Sequence, residues 1–317
     1  MGADWPAILA QMNVWERFAA FDFYQHALWG GIAIALLCGM LSVLVVLKRV
    51  AFIGEGIAHG AFGGVGAALL AGLFFESLRP VLMRDGIIAA FCVASAVAIG
   101  FISRRGKLAE DVAIGVCLVA AMAAGVLLLD ARAAMLDRML SGGQLMRSQI
   151  GYTPSSHDIL FGNLLFISRA EMIVLWILAA AVVLTMLAVF KELIFFAFDE
   201  EAASVFGVRT NLIYYGFLIA LSLGIVAAMR SLGIILVSAL LIIPGAAGRF
   251  WSHRIGWVMA ASALIGVLGV VGGLFLAIYL QFLSPGGVIV LTLVALLALS
   301  YAINFARRRK PLSANGS

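Results

Sequence analysis

Nine apolar runs, each close to the ~20 residues that a helix needs to cross a bilayer, leave this chain little choice of fold. They fall at about 27–47, 52–75, 86–103, 111–129, 170–190, 211–229, 232–250, 256–280 and 287–305. In hydrocarbon a backbone N–H or C=O can be paired only within its own segment or in a closed barrel, and runs of this length satisfy that as helices. An all-α polytopic membrane protein of about nine spans (eight to ten) is therefore expected. Composition agrees: of 317 residues 64% are hydrophobic and 12% charged, about half the charged share of an ordinary soluble domain. The net charge of +5 does not point to nucleic acid, because the basic residues gather at the ends of apolar runs.

Alternating the spans from an external N-terminus places Lys48, Arg49, Arg104, Arg105, Lys107, Lys191, Arg209, Arg249, Arg254, Arg307, Arg308, Arg309 and Lys310 on one side, thirteen of the 21 basic residues. The charge rule makes that side cytoplasmic, with the N-terminus outside and the C-terminus inside. Three regions follow. Residues 1–26, with Trp5, Trp15, Phe18, Phe21, Phe23, Tyr24 and His26 among scattered charges, have the composition of an interfacial helix. Residues 27–305 form one transmembrane domain, and 306–317 a basic cytoplasmic tail. The charges at Asp4 and Glu16, with no early Lys or Arg, do not match a cleaved signal peptide. Cys38, Cys92 and Cys117 lie inside apolar runs without metal-type spacing and are expected to be buried free thiols.

Within the second run, Glu55 and His59 are four residues apart. On a helix that spacing stacks both side chains on one face, which continues through Gly63 and Gly66. Ionisable groups there cost on the order of 2.5–3.5 kcal/mol when charged, so they call for a partner or a purpose. Two readings stay open: the pair ties helices together, or it is a station for a metal ion. A single chain supplies one oxygen and one nitrogen, whereas two copies facing each other supply a four-donor set suited to Zn²⁺ and usable by Mn²⁺ or Fe²⁺. The glycines on the same face imply either close helix packing or a narrow polar path.

Two connections are longer than the rest. The external one, 130–169, mixes turn residues with the apolar I-L-F-G-N-L-L and suits a short helix on or in the membrane. The internal one, 191–211, contains F-D-E-E-A-A-S-V-F-G-V-R-T-N, in which Asp199, Glu200 and Glu201 open a short helix that Gly207 closes. A solvated loop and a docking helix for a cytoplasmic motor are both compatible with it. The chain holds no motor, since its nearest approach to a phosphate loop, Gly100 to Lys107, has the wrong spacing. Pro244 and Gly245 interrupt a span where backbone must face protein or a cavity. His26, His157 and His253 have the setting of interfacial or loop histidines.

Three stretches together resemble the membrane permeases of ATP-binding-cassette (ABC) importers for zinc, manganese or iron. R-V-A-F-I-G-E-G-I-A-H-G-A-F-G-G is similar to that family's R-x-A-F-x-G-D-A-x-S-H-x-x-x-x-G, with Glu55 for the usual Asp and Ala58 for the usual Ser. L-F-G-N-L-L at 160–165 resembles its L-F-G-S-x-L, and the run from F-D-E-E-A-A-S-V-F-G to L-G-I-I-L-V-S-A-L-L-I-I-P-G-A-A looks like its coupling loop and following span. The resemblance implies a fold like that of vitamin B12 and siderophore permeases, in a bacterial inner membrane. It implies a homodimer or a pair of related permeases, cytoplasmic ATPase subunits, and an external metal-binding protein. It places the metal contacts on Glu55 and His59 and the ATPase coupling on Asp199, Glu201, Ala202 and Gly207. The chain would be no enzyme itself and would keep no permanent cofactor, the divalent cation being cargo. The rival expectations are a permease for a metal chelate, a stand-alone secondary carrier, for which inverted halves would be visible and are not, and a scaffold without transport.

Overall fold

The computed structural model describes residues 16, 18, 21–75, 81–106, 108–141, 167–280 and 284–309, and no strand occurs among them. The helices are α1 (Asp22–Leu47), α2 (Ile53–Phe74), α3 (Val81–Arg105), α4 (Glu110–Ser141), α5 (Arg169–Ala188), α6 (Phe190–Phe198), α7 (Glu200–Val205), α8 (Thr210–Gly248), α9 (Ile255–Leu280) and α10 (Pro285–Arg309). Among the described residues nine stretches are long and apolar enough to cross a membrane, α8 contributing two, Thr210–Met229 and Ser231–Gly248. The helix kinks at Gly233, near the start of the second stretch, where a φ of 77° and ψ of 162° are open only to a residue without a side chain.

The span positions agree with the hydropathy reading, whereas several ends do not. Helix α1 starts at Asp22 and so takes in the last residues of the expected interfacial segment; most of residues 1–20 lie outside the described part. Helix α4 runs on to Ser141, twelve residues past the expected end at 129. The reason is that D-A-R-A-A-M-L-D-R-M-L-S carries charges, which end an apolar window, but no Gly or Pro, so nothing ends the helix before Gly142. The remainder of that connection, with L-F-G-N-L-L and His157, lies outside the described residues, as does most of the basic tail. The internal connection at 191–211 is largely helical, divided between α6 and α7.

The chain forms two compact units of discontinuous sequence. The unit built from Leu47–Gly162 and Leu184–Ile234 is organised on α2, which packs against α3 and α4. Glycine makes this approach possible. A Cβ on Gly63 would stand 2.6 Å from the Phe91 ring and 3.0 Å from the Ala121 carbonyl, and one on Gly66 would stand 2.9 Å from the Gly125 carbonyl. The Gly63–Gly66 end of the Glu55 face is therefore filled by neighbouring helices, and of the two options left open above it is close packing that occurs. Small residues hold membrane helices together because lipid supplies no hydrophobic drive between them. Gly63→Leu should consequently separate α2 from α3 and α4 at a cost of about 1–3 kcal/mol or more. The check is the thermal midpoint and monodispersity of the detergent-purified variant, and an unchanged midpoint would contradict this packing.

The other unit comprises Met1–Val46, Asn163–Val183 and Ile235–Ser317. Its interior is tied by buried hydroxyls that serve the backbone. The Ser42 hydroxyl accepts the Gly245 N–H at 2.7 Å, beside Pro244, whose ring disturbs the helical ladder. Ser262 donates to the Gly39 carbonyl at 2.7 Å, and the indole of Trp251 donates to Ser300 at 3.1 Å. Helices α9 and α10 meet at Gly273, over which the Ile289 backbone lies. The interruption at Pro244 is thus met by protein, one of the two settings in which it can be tolerated. Cys38 and Cys92 are buried and Cys117 partly so, all three free, as the apolar context predicts.

Candidate functional site

Glu55 and His59 occupy the first half of α2. Gly56 and Gly60 carry the opposite flank, where an added Cβ would meet Ile114 of α4 and Ser95 of α3 at 2.9 and 2.8 Å. That leaves the stripe Phe52, Glu55, His59 and Phe62 as the less covered side of the helix. The glutamate side chain is 34% exposed and the imidazole 17%. His59 Nε2 lies 3.0 Å from Glu55 Oε1, a hydrogen bond between neighbours on one helix.

That bond weighs on the two readings left open by the sequence. An i,i+4 pair contributes about 0.2–0.5 kcal/mol, well below the cost of a charge at membrane depth. Because both groups sit on α2, their bond to each other joins no second helix. The geometry does suit a shared cation. With bonds of ~2.1 Å, adjacent donors lie ~3.0 Å apart around an octahedral ion and ~3.4 Å apart around a tetrahedral one, so either is reached by small rotations. Among the described residues no cluster of three or more His, Cys, Asp or Glu side chains is placed to hold a metal. One chain therefore presents two donors of a possible larger set.

The second region is α7. Asp199 is its N-cap, with Oδ1 accepting the Ala202 N–H at 2.9 Å. The helix ends in a Schellman turn: Gly207, at φ 85°, donates to the Ser204 carbonyl at 3.1 Å, and Val208 donates to the Ala203 carbonyl at 3.0 Å. Of the four residues that the sequence named here, Asp199, Ala202 and Gly207 shape the helix, while Glu201 projects from it exposed. Sequence reasoning missed Val205 and Phe206, which are 83% and 78% exposed beside Ala203 at 0%. The available signal was two large apolar residues placed directly before a glycine stop. Glu200 behaves differently from the other acids. It turns back to Lys48, at 3.1 Å, and to Arg104.

Comparison with known proteins agrees with this architecture. The chain is 29% identical over 286 residues to the manganese transport system membrane protein MntC of Halalkalibacterium halodurans, covering 90% of this chain and 89% of that protein. It is 30% identical over 285 residues to the manganese transport system membrane protein MntB of Synechocystis, covering 88% and 82%. A chain of the PsaBC complex of Streptococcus pneumoniae, solved with a Fab, superposes with a TM-score of 0.75 at 26% identity, over 93% of this chain and 97% of that one. The model of the ABC 3 transport family matches residues 20–304. With that match over most of its length, this chain is a member of the ABC 3 transport family.

Proposed function

We infer that this chain is the permease subunit of an ATP-driven importer of divalent transition-metal ions, with Mn²⁺ as the first candidate cargo. The observation that carries the reading is the Glu55–His59 pair, 3.0 Å apart on the less covered stripe of a membrane helix, in a chain similar along nearly its whole length to manganese transport proteins. A second permease copy, identical or paralogous, would bring its own pair to the same ion and raise the donor count from two to four. Cytoplasmic ATPase subunits dock on α7 through Val205, Phe206 and Glu201, and an extracytoplasmic binding protein delivers the ion to the other face. The N-terminus lies outside and the C-terminal tail inside a bacterial inner membrane, in keeping with the side on which the basic residues gather. The pair holds the ion through exchangeable donors, tightly enough to admit it and loosely enough to release it.

The test is reconstitution of the permease with the ATPase subunit that co-purifies from native membrane, followed by uptake of radiolabelled Mn²⁺, Zn²⁺ and Fe²⁺ with and without ATP. ATP-dependent accumulation of one of these ions is the expected result. Equal accumulation without ATP or without the ATPase subunit would instead identify a secondary carrier, and uptake only of a chelated ion would identify a chelate permease.

A further inference from the structure

Helix α7 has two faces, and only one of them looks outward. Glu201, Ser204, Val205 and Phe206 are exposed, while Ala203 is buried and Glu200 turns inward. The Glu200 carboxylate is held by two cations from distant parts of the chain: Oε2 lies 3.1 Å from Lys48 Nζ, and Oε1 accepts from the Arg104 guanidinium. Each cation also rests on an aromatic face. Lys48 Nζ is 3.6 Å from the centre of the Phe196 ring in α6, and Arg104 Cζ is 4.0 Å from that of Tyr214 in α8. Arg104 further donates to Asn211, and the Tyr214 hydroxyl donates to Glu110 of α4 at 3.1 Å. These groups line a cavity of about 670 Å³. An isolated surface ion pair contributes little, but one carboxylate gripping two half-buried cations that are themselves seated on rings is a network with a defined geometry.

The position of Lys48 gives this network its meaning. It stands directly after α1 and before Arg49, whose φ of 59° is the one left-handed non-glycine backbone among the described residues. Such a turn is held by its surroundings rather than by its own preference. Four residues after Arg49, α2 begins at Ile53, with Glu55 in its first turn. Arg104 lies in the last turn of α3, which packs against α2. A displacement of α7 therefore pulls on the entrance to α2 and on its neighbour at once, through one side chain.

We propose that Glu200 is a positioning residue that couples α7 to the ion-bearing helix α2 through its joint grip on Lys48 and Arg104, so that movement of α7 changes the setting of the Glu55–His59 pair. This rests on the reading of α7 as the ATPase docking helix. Glu200 itself is not part of the docking face. Its removal should leave the motor attached and running while disconnecting it from transport.

The experiment measures ATP hydrolysis and radiolabelled Mn²⁺ uptake in the same proteoliposomes of the complete permease–ATPase complex. In Glu200→Gln the ATPase subunit should remain bound and hydrolyse ATP, while Mn²⁺ moved per ATP falls about fivefold or more, within the range of typical coupling between sites. Lys48→Gln should show the same defect from the membrane side, and it serves as the test should the Glu200→Gln permease fail to fold as a monodisperse protein. The double variant should be no worse than the poorer single one, as expected of two residues acting through one contact. An unchanged ratio of ion to ATP in the assembled variants, or losses that multiply in the double variant, would overturn the proposal. Loss of the ATPase subunit from Glu200→Gln would also overturn it, by making Glu200 a docking residue. Absence of ATP-dependent uptake in the unaltered complex is a separate outcome that sinks the importer reading itself.

Discussion

Alanine at Glu55 or at His59 is expected to reduce ATP-driven Mn²⁺ uptake by at least about tenfold to a hundredfold, the range seen even for groups that only support a metal ligand. Each substitution removes one of the two donors that a single chain presents, and the loss doubles if a second copy completes the site. The fold should hardly notice. Both side chains lie on the less covered stripe of α2, and the i,i+4 bond between them is worth about 0.5 kcal/mol at most. Thermal midpoint and ATPase association should accordingly stay near those of the unaltered complex while uptake falls. Glu55→Asp keeps a carboxylate and should retain part of the activity, whereas Glu55→Gln keeps the shape, loses the charge and should not. Full uptake in both alanine variants would take these residues out of the ion path.

The second large effect belongs to the outer face of α7. Phe206 is 78% exposed and Val205 83%, an unusual setting for large apolar side chains on a polar turn that ends outside the spans. Burying a Phe side chain in an interface contributes about 1.5–3 kcal/mol, and charged replacement adds a desolvation penalty. Phe206→Asp should therefore weaken retention of the ATPase subunit by roughly thirtyfold or more, on the scale of an interface hot spot. Because the ring is mostly free of the chain's own packing, with one tilted contact to Phe195, the permease itself should remain folded. Phe206→Leu, which preserves an apolar knob, should restore most of the binding. Co-purification of the ATPase subunit at increasing salt and detergent stringency provides the readout, and equal retention in Phe206→Asp would place the docking surface elsewhere. This variant and Glu200→Gln should separate cleanly, the first losing the motor and the second keeping it without its effect.

The way these two faces came to light shows where sequence reasoning reaches and stops. The caps of α7 were legible because Asp before a helix and Gly after it act through bonds to residues three to five positions away. Its partners were not. Glu200 meets residues 152 and 96 positions distant in the chain, and no local pattern encodes such a pairing. Likewise α6 was hidden inside a presumed loop, since K-E-L-I-F-F-A-F reads in a line as a continuation of the preceding span.

The amino-acid order alone determined that this chain crosses a membrane about nine times, because bilayer thickness converts directly into a length of apolar helix. It also placed an acid and an imidazole on one side of α2, because four residues make one turn. What only the tertiary structure decided is which parts of that side are closed. Gly63 and Gly66 admit α3 and α4 to within contact, while His59 and Glu55, about one and two turns before Gly63, are left partly open. Helical periodicity assigns residues to a face, but the neighbours that cover a face are brought there by distant segments packing at close range.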